Sequence, residues 1–72
     1  MDTLAVFRSR SEALKIYNSM KHNRIACITV NTPSKLGVGC GISIVFHNSV
    51  TNMVKEFIKL HKATSFIGFF KK

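Results

Sequence analysis

Seventy-two residues allow one small domain, 1–72, that buries only about 60–65% of the surface its unfolded chain exposes. Apolar residues at 46% against 19% charged exclude a disordered chain and are enough for one modest core. Eleven Lys and Arg face only three acids, Asp2, Glu12 and Glu56; the resulting +8 excludes a surface rich in ion pairs and favours acidic proteins, nucleic acid or anionic ligands as partners.

The chain opens with an apolar run, LAVF, that suits a strand over residues 3–7. A helix follows from Ser9. Ser9 and Glu12 have capping-box spacing, in which the hydroxyl takes the N3 amide and the glutamate returns to the N-cap amide. Ala13, Ile16, Tyr17 and Met20 fall on one stripe. Lys21 and His22 suit the negative end of the helix dipole, and Asn23 is expected to take the left-handed turn that stops it.

RIACITV, residues 24–30, is apolar on both alternating sets and reads as a largely covered strand. NTPSKLGVGCG is a loop, holding the only proline and three of the four glycines. ISIVFH alternates, with Ile42, Ile44 and Phe46 on one face and Ser43, Val45 and His47 on the other, as in a half-buried strand. A second helix is expected from Asn48 or Ser49 as N-cap, with Val50, Met53, Val54, Phe57 and Leu60 or His61 on its stripe. TSFIGFF closes the chain as a strand over residues 64–70.

The order is β-α-β-β-α-β. Each helix has one apolar stripe to bury, so both must lie on one face of a four-stranded antiparallel sheet, the α+β arrangement of the ferredoxin-like split βαβ. The longest stretch without Asp, Glu, Lys or Arg, residues 36–54, is too polar and glycine-rich to span a membrane. Asp2 and Arg8 interrupt any secretory leader. Two cysteines, Cys27 and Cys40, make no disulfide framework, and free thiols point to a reducing, cytoplasmic setting. Nothing selects between a monomer and a homodimer.

The candidate sites narrow quickly. Gly37, Gly39 and Gly41 give G-x-G-x-G, but Ile42 breaks the dinucleotide fingerprint and a strand, not a helix, follows, so neither a Rossmann nor a P-loop cofactor site is expected. Exposed loop amides could still form an anion nest. Cys27, Cys40, His22, His47 and His61 never form C-x-x-C or H-x-x-x-H, which argues against a metal. Cys40 and His47 stand at opposite ends of one strand, about 20 Å apart at 3.3 Å per residue, too far for a Cys–His nucleophile. His22 could approach the loop from the end of the first helix. GISIVFH lacks the aromatic pattern of RNA-recognition strands, so nucleic acid is not the favoured partner, although the charge would allow it.

What remains is the pair of thiols. Cys27 lies in IACIT, where sulfur behaves as a small hydrophobe. Cys40 lies between Gly39 and Gly41, where a partner could reach it, with Lys35 five residues upstream to favour the thiolate.

The run TPSKLGVGCGISIVF, preceded by LAVFRSRSEALKIYNSMKHNRIACITV, resembles the small bacterial selenium/sulfur carrier protein-like family, across about residues 3–70. The elements that carry the resemblance are Pro33, its spacing to Cys40–Gly41, and Ile42–Ser43–Ile44. The chain departs from the family pattern in two places. Ser34 separates Pro33 from the basic Lys35, and Gly37, Val38 and Gly39 precede the cysteine where Ser or Ala is common. The resemblance implies a carrier, not an enzyme, that holds sulfur or selenium on Cys40 as a persulfide or perselenide. Gly41 would give access, Lys35 and Gly39 would support the thiol, and partners would be the donor and acceptor proteins of sulfur or selenium metabolism. The other class open to this chain is a basic binding module for RNA or an acidic protein, with Cys40 only structural.

Overall fold

The computed structural model describes residues 2–33 and 41–71. In chain order the elements are β1 (Asp2–Phe7), α1 (Arg10–His22), β2 (Cys27–Asn31), β3 (Ile42–His47), a 3-10 turn (Asn48–Val50), α2 (Thr51–Leu60) and β4 (Phe66–Lys71). The strands form one antiparallel sheet in the order β2-β3-β1-β4. This is the expected α+β arrangement consistent with a ferredoxin-like fold, with β1 and β3 in the centre.

The core lies between the helices and one sheet face. Ala13, Ile16 and Met20 of α1 and Val54 of α2 pack with Ala5, Phe7, Cys27, Ile44 and Phe46 of the sheet. The aromatic rings form a chain through this layer. Phe7 and Phe66 are 5.4 Å apart, Phe66 and Phe69 4.9 Å, and Phe69 meets Phe46 edge-on at 6.0 Å. Such tilted contacts suit the ring quadrupoles.

Several local expectations are corrected. β2 is an edge strand rather than a covered one, and Ile28 is 54% exposed. β3 is buried on both faces instead of one: Ser43 and Val45, on the face away from the helices, are as inaccessible as Ile44 and Phe46. Ser43 tolerates that burial because its hydroxyl meets Thr32 Oγ1 at 2.8 Å. On the same face Leu4, Val6 and Val45 cluster with the partly buried Val30, Ile67 and Phe70.

In β4, strict alternation would put Phe66 and Phe69 on opposite faces. The register instead shifts between Val6 and Phe7, pairing Val6 with Gly68 and Phe7 with Phe66. Ile67 is the extra residue of a bulge, so Phe66 and Phe69 both reach the helix layer while Ile67 and Phe70 face the other way.

The helix ends also differ from expectation. Asn23 is not left-handed; Arg24 is, at φ 62°. Arg24 N–H donates to Lys21 O and Ile25 N–H to Met20 O, the paired bonds of a Schellman stop. Lys62, at φ 50°, ends α2 in the same way. The second helical segment starts from His47, whose Nδ1 accepts from Ser49 N–H at the head of the 3-10 turn. The 3-10 turn sends Val50 to the core and α2 sends Val54, Phe57 and Ile58, while Met53 and Leu60 are exposed. His61 Nε2 lies 2.8 Å from Ser19 Oγ and ties α2 to α1.

Only half of the capping box forms. Ser9 Oγ accepts from Glu12 N–H, but the Glu12 carboxylate turns away from the cap and accepts from the hydroxyl and main-chain N–H of Ser65. These two bonds hold its pKa below the ordinary carboxylate value, the hydroxyl having the larger effect. A lowered folded-state pKa stabilises the fold fully above the unfolded value, and that contribution fades as pH falls through the folded value. Glu12→Gln is therefore expected to lower the melting temperature at neutral pH, with the difference from the parent vanishing in acid. Thermal melts at a series of pH values check this, and a difference that persists below the carboxylate range would exclude the ionised carboxylate as its source.

Candidate functional site

The loop singled out by sequence leaves β2 after Thr32 and Pro33 and re-enters at Gly41. Cys40, Lys35 and Gly39 lie outside the described residues; Gly41 lies within them. Its surroundings give Gly41 a packing role. A Cβ there would stand 2.4 Å from the main-chain oxygen of Phe7 and 3.5 Å from Thr32 Oγ1. Only glycine lets the strand come this close to the end of β1. Thr32 N–H also donates to Gly41 O at 2.9 Å, which carries the β2–β3 ladder one pair beyond the strands. With the Thr32–Ser43 hydroxyl pair beneath, the loop's stem is held from both sides.

This end of the sheet is electropositive. Phe7 is followed by exposed Arg8, the N-cap Ser9 and exposed Arg10, the first residue of α1. The α1 N-terminus contributes the positive end of its dipole. Glu12, the acid in the first turn, already accepts from Ser65. Such a field favours anions and would lower the pKa of a thiol brought into it. Arg8 and Arg10 did not stand out in the sequence, because their relation to the loop exists only once β3 lies against β1.

His22, His47 and Cys27 stand at the opposite end of the sheet. His22 lies at the opposite end of α1, beside the start of β2 and away from the described stem of the loop. His47 pairs with Asp2 at the far end of β3, and His61 is bonded to Ser19. Cys27 is buried at 6% exposure; burial pushes its thiol pKa up, and the charge of Lys21 only partly opposes this. It is mostly a protonated, inert thiol at neutral pH. Among the described residues no group of His, Cys, Asp and Glu is arranged to hold a metal ion.

The sheet face away from the helices carries no Phe or Tyr on its central strands. Between the strand ends its β1 and β3 positions are Leu4, Val6, Ser43 and Val45, while Phe7 and Phe46 point into the core. Phe70, on edge strand β4, is the aromatic packed there among the described residues. No helix of the described residues is long and apolar enough to cross a membrane.

No curated protein and no solved structure matches this chain. The model of the family described as "Putative Se/S carrier protein-like" matches residues 2–64 of the 72. That span runs from the first residue of β1 through α2 and includes the whole loop between β2 and β3. The chain therefore belongs to the Se/S carrier protein-like family.

Proposed function

We propose that the protein is a thiol carrier of sulfur or selenium, with Cys40 holding the cargo and no catalytic constellation of its own. The observation that carries this reading is the family match, whose span contains Cys40. The anchored stem supports it: Gly41, the next residue in the chain, is packed against Phe7 beside Arg8, Arg10 and the α1 N-terminus. Cys27, the other thiol, is buried and its pKa is raised, which speaks against it as the carrier of the cargo.

The transfer is an exchange without net oxidation. The Cys40 thiolate attacks the outer sulfur of a donor persulfide, a new S–S bond forms, the donor's S–S bond breaks, and the electron pair leaves on the donor thiolate. The persulfide proton passes to that leaving thiolate. An acceptor nucleophile then takes the outer sulfur and releases Cys40 as thiolate. Arg8, Arg10 and Lys35 would favour the anionic forms at both stages. The partners are a donor and an acceptor protein in sulfur or selenium metabolism, working in the cytoplasm.

Reduced protein incubated with a cysteine desulfurase and labelled cysteine is expected to gain the mass of one sulfur atom. Peptide mapping should locate it on Cys40, Cys40→Ser should abolish it, and Cys27→Ser should leave it intact. A chain that stays unloaded yet binds RNA, with affinity falling steeply as salt rises, would be a basic binding module instead.

A further inference from the structure

The two edges of the sheet are protected unequally. β4 carries the bulge at Ile67 and ends in Lys71, two features that discourage the addition of another strand. β2, CITVN, has no charge, no proline and no bulge, and among the described residues a strand pairs with it on one side only. The register identifies what it offers. Because Thr32 N–H donates to Gly41 O, the hydrogen-bonded pairs are those of Thr32, Val30 and Ile28. Thr29 and Asn31 then turn their main-chain N–H and C=O groups outward.

Side-chain features line the same edge. Ile28 is 54% exposed, a high value for an isoleucine in a strand. It borders a shallow depression of about 280 Å³ whose lining includes Ala26 and Val45, with Asp2 and His47 as its polar members. At the start of β2 stand exposed Lys21, His22 and Arg24, the last held by the left-handed turn.

We propose that β2 is the docking edge for an extended, acidic segment of a partner protein, which joins the sheet as a fifth strand. Main-chain bonds to Thr29 and Asn31 give the affinity, an apolar side chain beside Ile28 fills the depression, and flanking acids meet Lys21 and Arg24. Charge selects this occupant over a second copy of the chain. Two molecules at +8 repel, and in a two-fold β2–β2 pairing Lys21 and Arg24 of one copy would approach the Asn31 end of the other. The acid on that side of the fold, Glu12, is bonded to Ser65 near the opposite, β4 edge. The proposal does not depend on Cys40.

The test titrates the full-length, isotope-labelled protein with an acetylated peptide of alternating Val and Thr flanked by pairs of Glu. Amide signals of β2 are expected to shift, and exchange of Thr29 and Asn31 N–H to slow by about tenfold or more at saturation. Thr29→Pro removes an outward N–H without touching the β2–β3 ladder, so the fold should survive while affinity falls by at least about tenfold. Ile28→Glu, at an exposed side chain, should weaken binding similarly and serves if the proline variant does not fold. Cys40→Ser should bind the peptide like the parent, which keeps this result separable from sulfur loading. No binding, shifts spread over all basic residues, undiminished binding to a folded Thr29→Pro protein, or a dimer that Thr29→Pro dissolves would each overturn the proposal.

Discussion

Phe46→Ala is expected to destabilise the domain by about 3–5 kcal/mol, the range for removing a fully buried aromatic ring. Phe46 is 2% exposed on a central strand, opposite Thr3 of β1 and Cys27 of β2, and its ring meets Phe69 edge-on. The hole left by the ring would open beneath both helices, because Ile16, Met20 and Val54 share the same cluster. A domain of this size holds only about 4–11 kcal/mol in total at typical values per residue, so this one change removes much of it. Urea unfolding followed by circular dichroism measures the loss. Leu60→Ala is the control: its side chain is 74% exposed and the expected change is within about 0.5 kcal/mol. A Phe46→Ala midpoint close to that of Leu60→Ala would show that the layer between helices and sheet is not the stability core.

The order of elements is legible in the sequence because each element keeps its own period. Ala13, Ile16 and Met20 recur at helical spacing, and Ile44 and Phe46 at strand spacing, and both sets are buried in the core. The errors arise where a residue's environment is decided by something distant in the chain. Ser43 reads as solvent-facing because its partner, Thr32, sits just past the end of the neighbouring strand. RIACITV reads as covered because apolar alternation does not say whether a strand is central or at an edge. Met53, Val54, Phe57, Ile58 and Leu60 of α2 are all apolar, so the sheet decides that Val54 is buried and Ile58 partly buried while Met53 and Leu60 are exposed. Glu12 has capping-box spacing, yet Ser65, far along the chain, offers two donors at once. The site divides along the same line. Cys40 stands out by motif alone, whereas the reason for glycine at position 41 is the carbonyl of Phe7, which no local pattern contains.

Gly41→Ala follows from that contact and is expected to act on stability and function together. The added Cβ would meet Phe7 O at 2.4 Å, a main-chain atom in a central strand that cannot rotate aside. Relief requires either β1 or the β3 entrance to move. Overpacking of this kind costs about 1–3 kcal/mol. Gly68→Ala is the matched control in the same sheet, because its Cβ would sit 3.8 Å from the Phe70 ring, an ordinary contact. Urea denaturation should therefore separate the two variants, with Gly41→Ala shifted well to lower midpoint and Gly68→Ala close to the parent. The displacement would fall where the Thr32–Gly41 bond closes the loop stem, next to the residue proposed to carry sulfur. Under conditions where the variant remains folded, its rate of loading from the desulfurase should fall as well, while Gly68→Ala loads normally. Equal stability of the two variants would mean that the Phe7 approach relaxes without cost. Lost stability with normal loading would mean that the stem supports the fold but does not position the thiol.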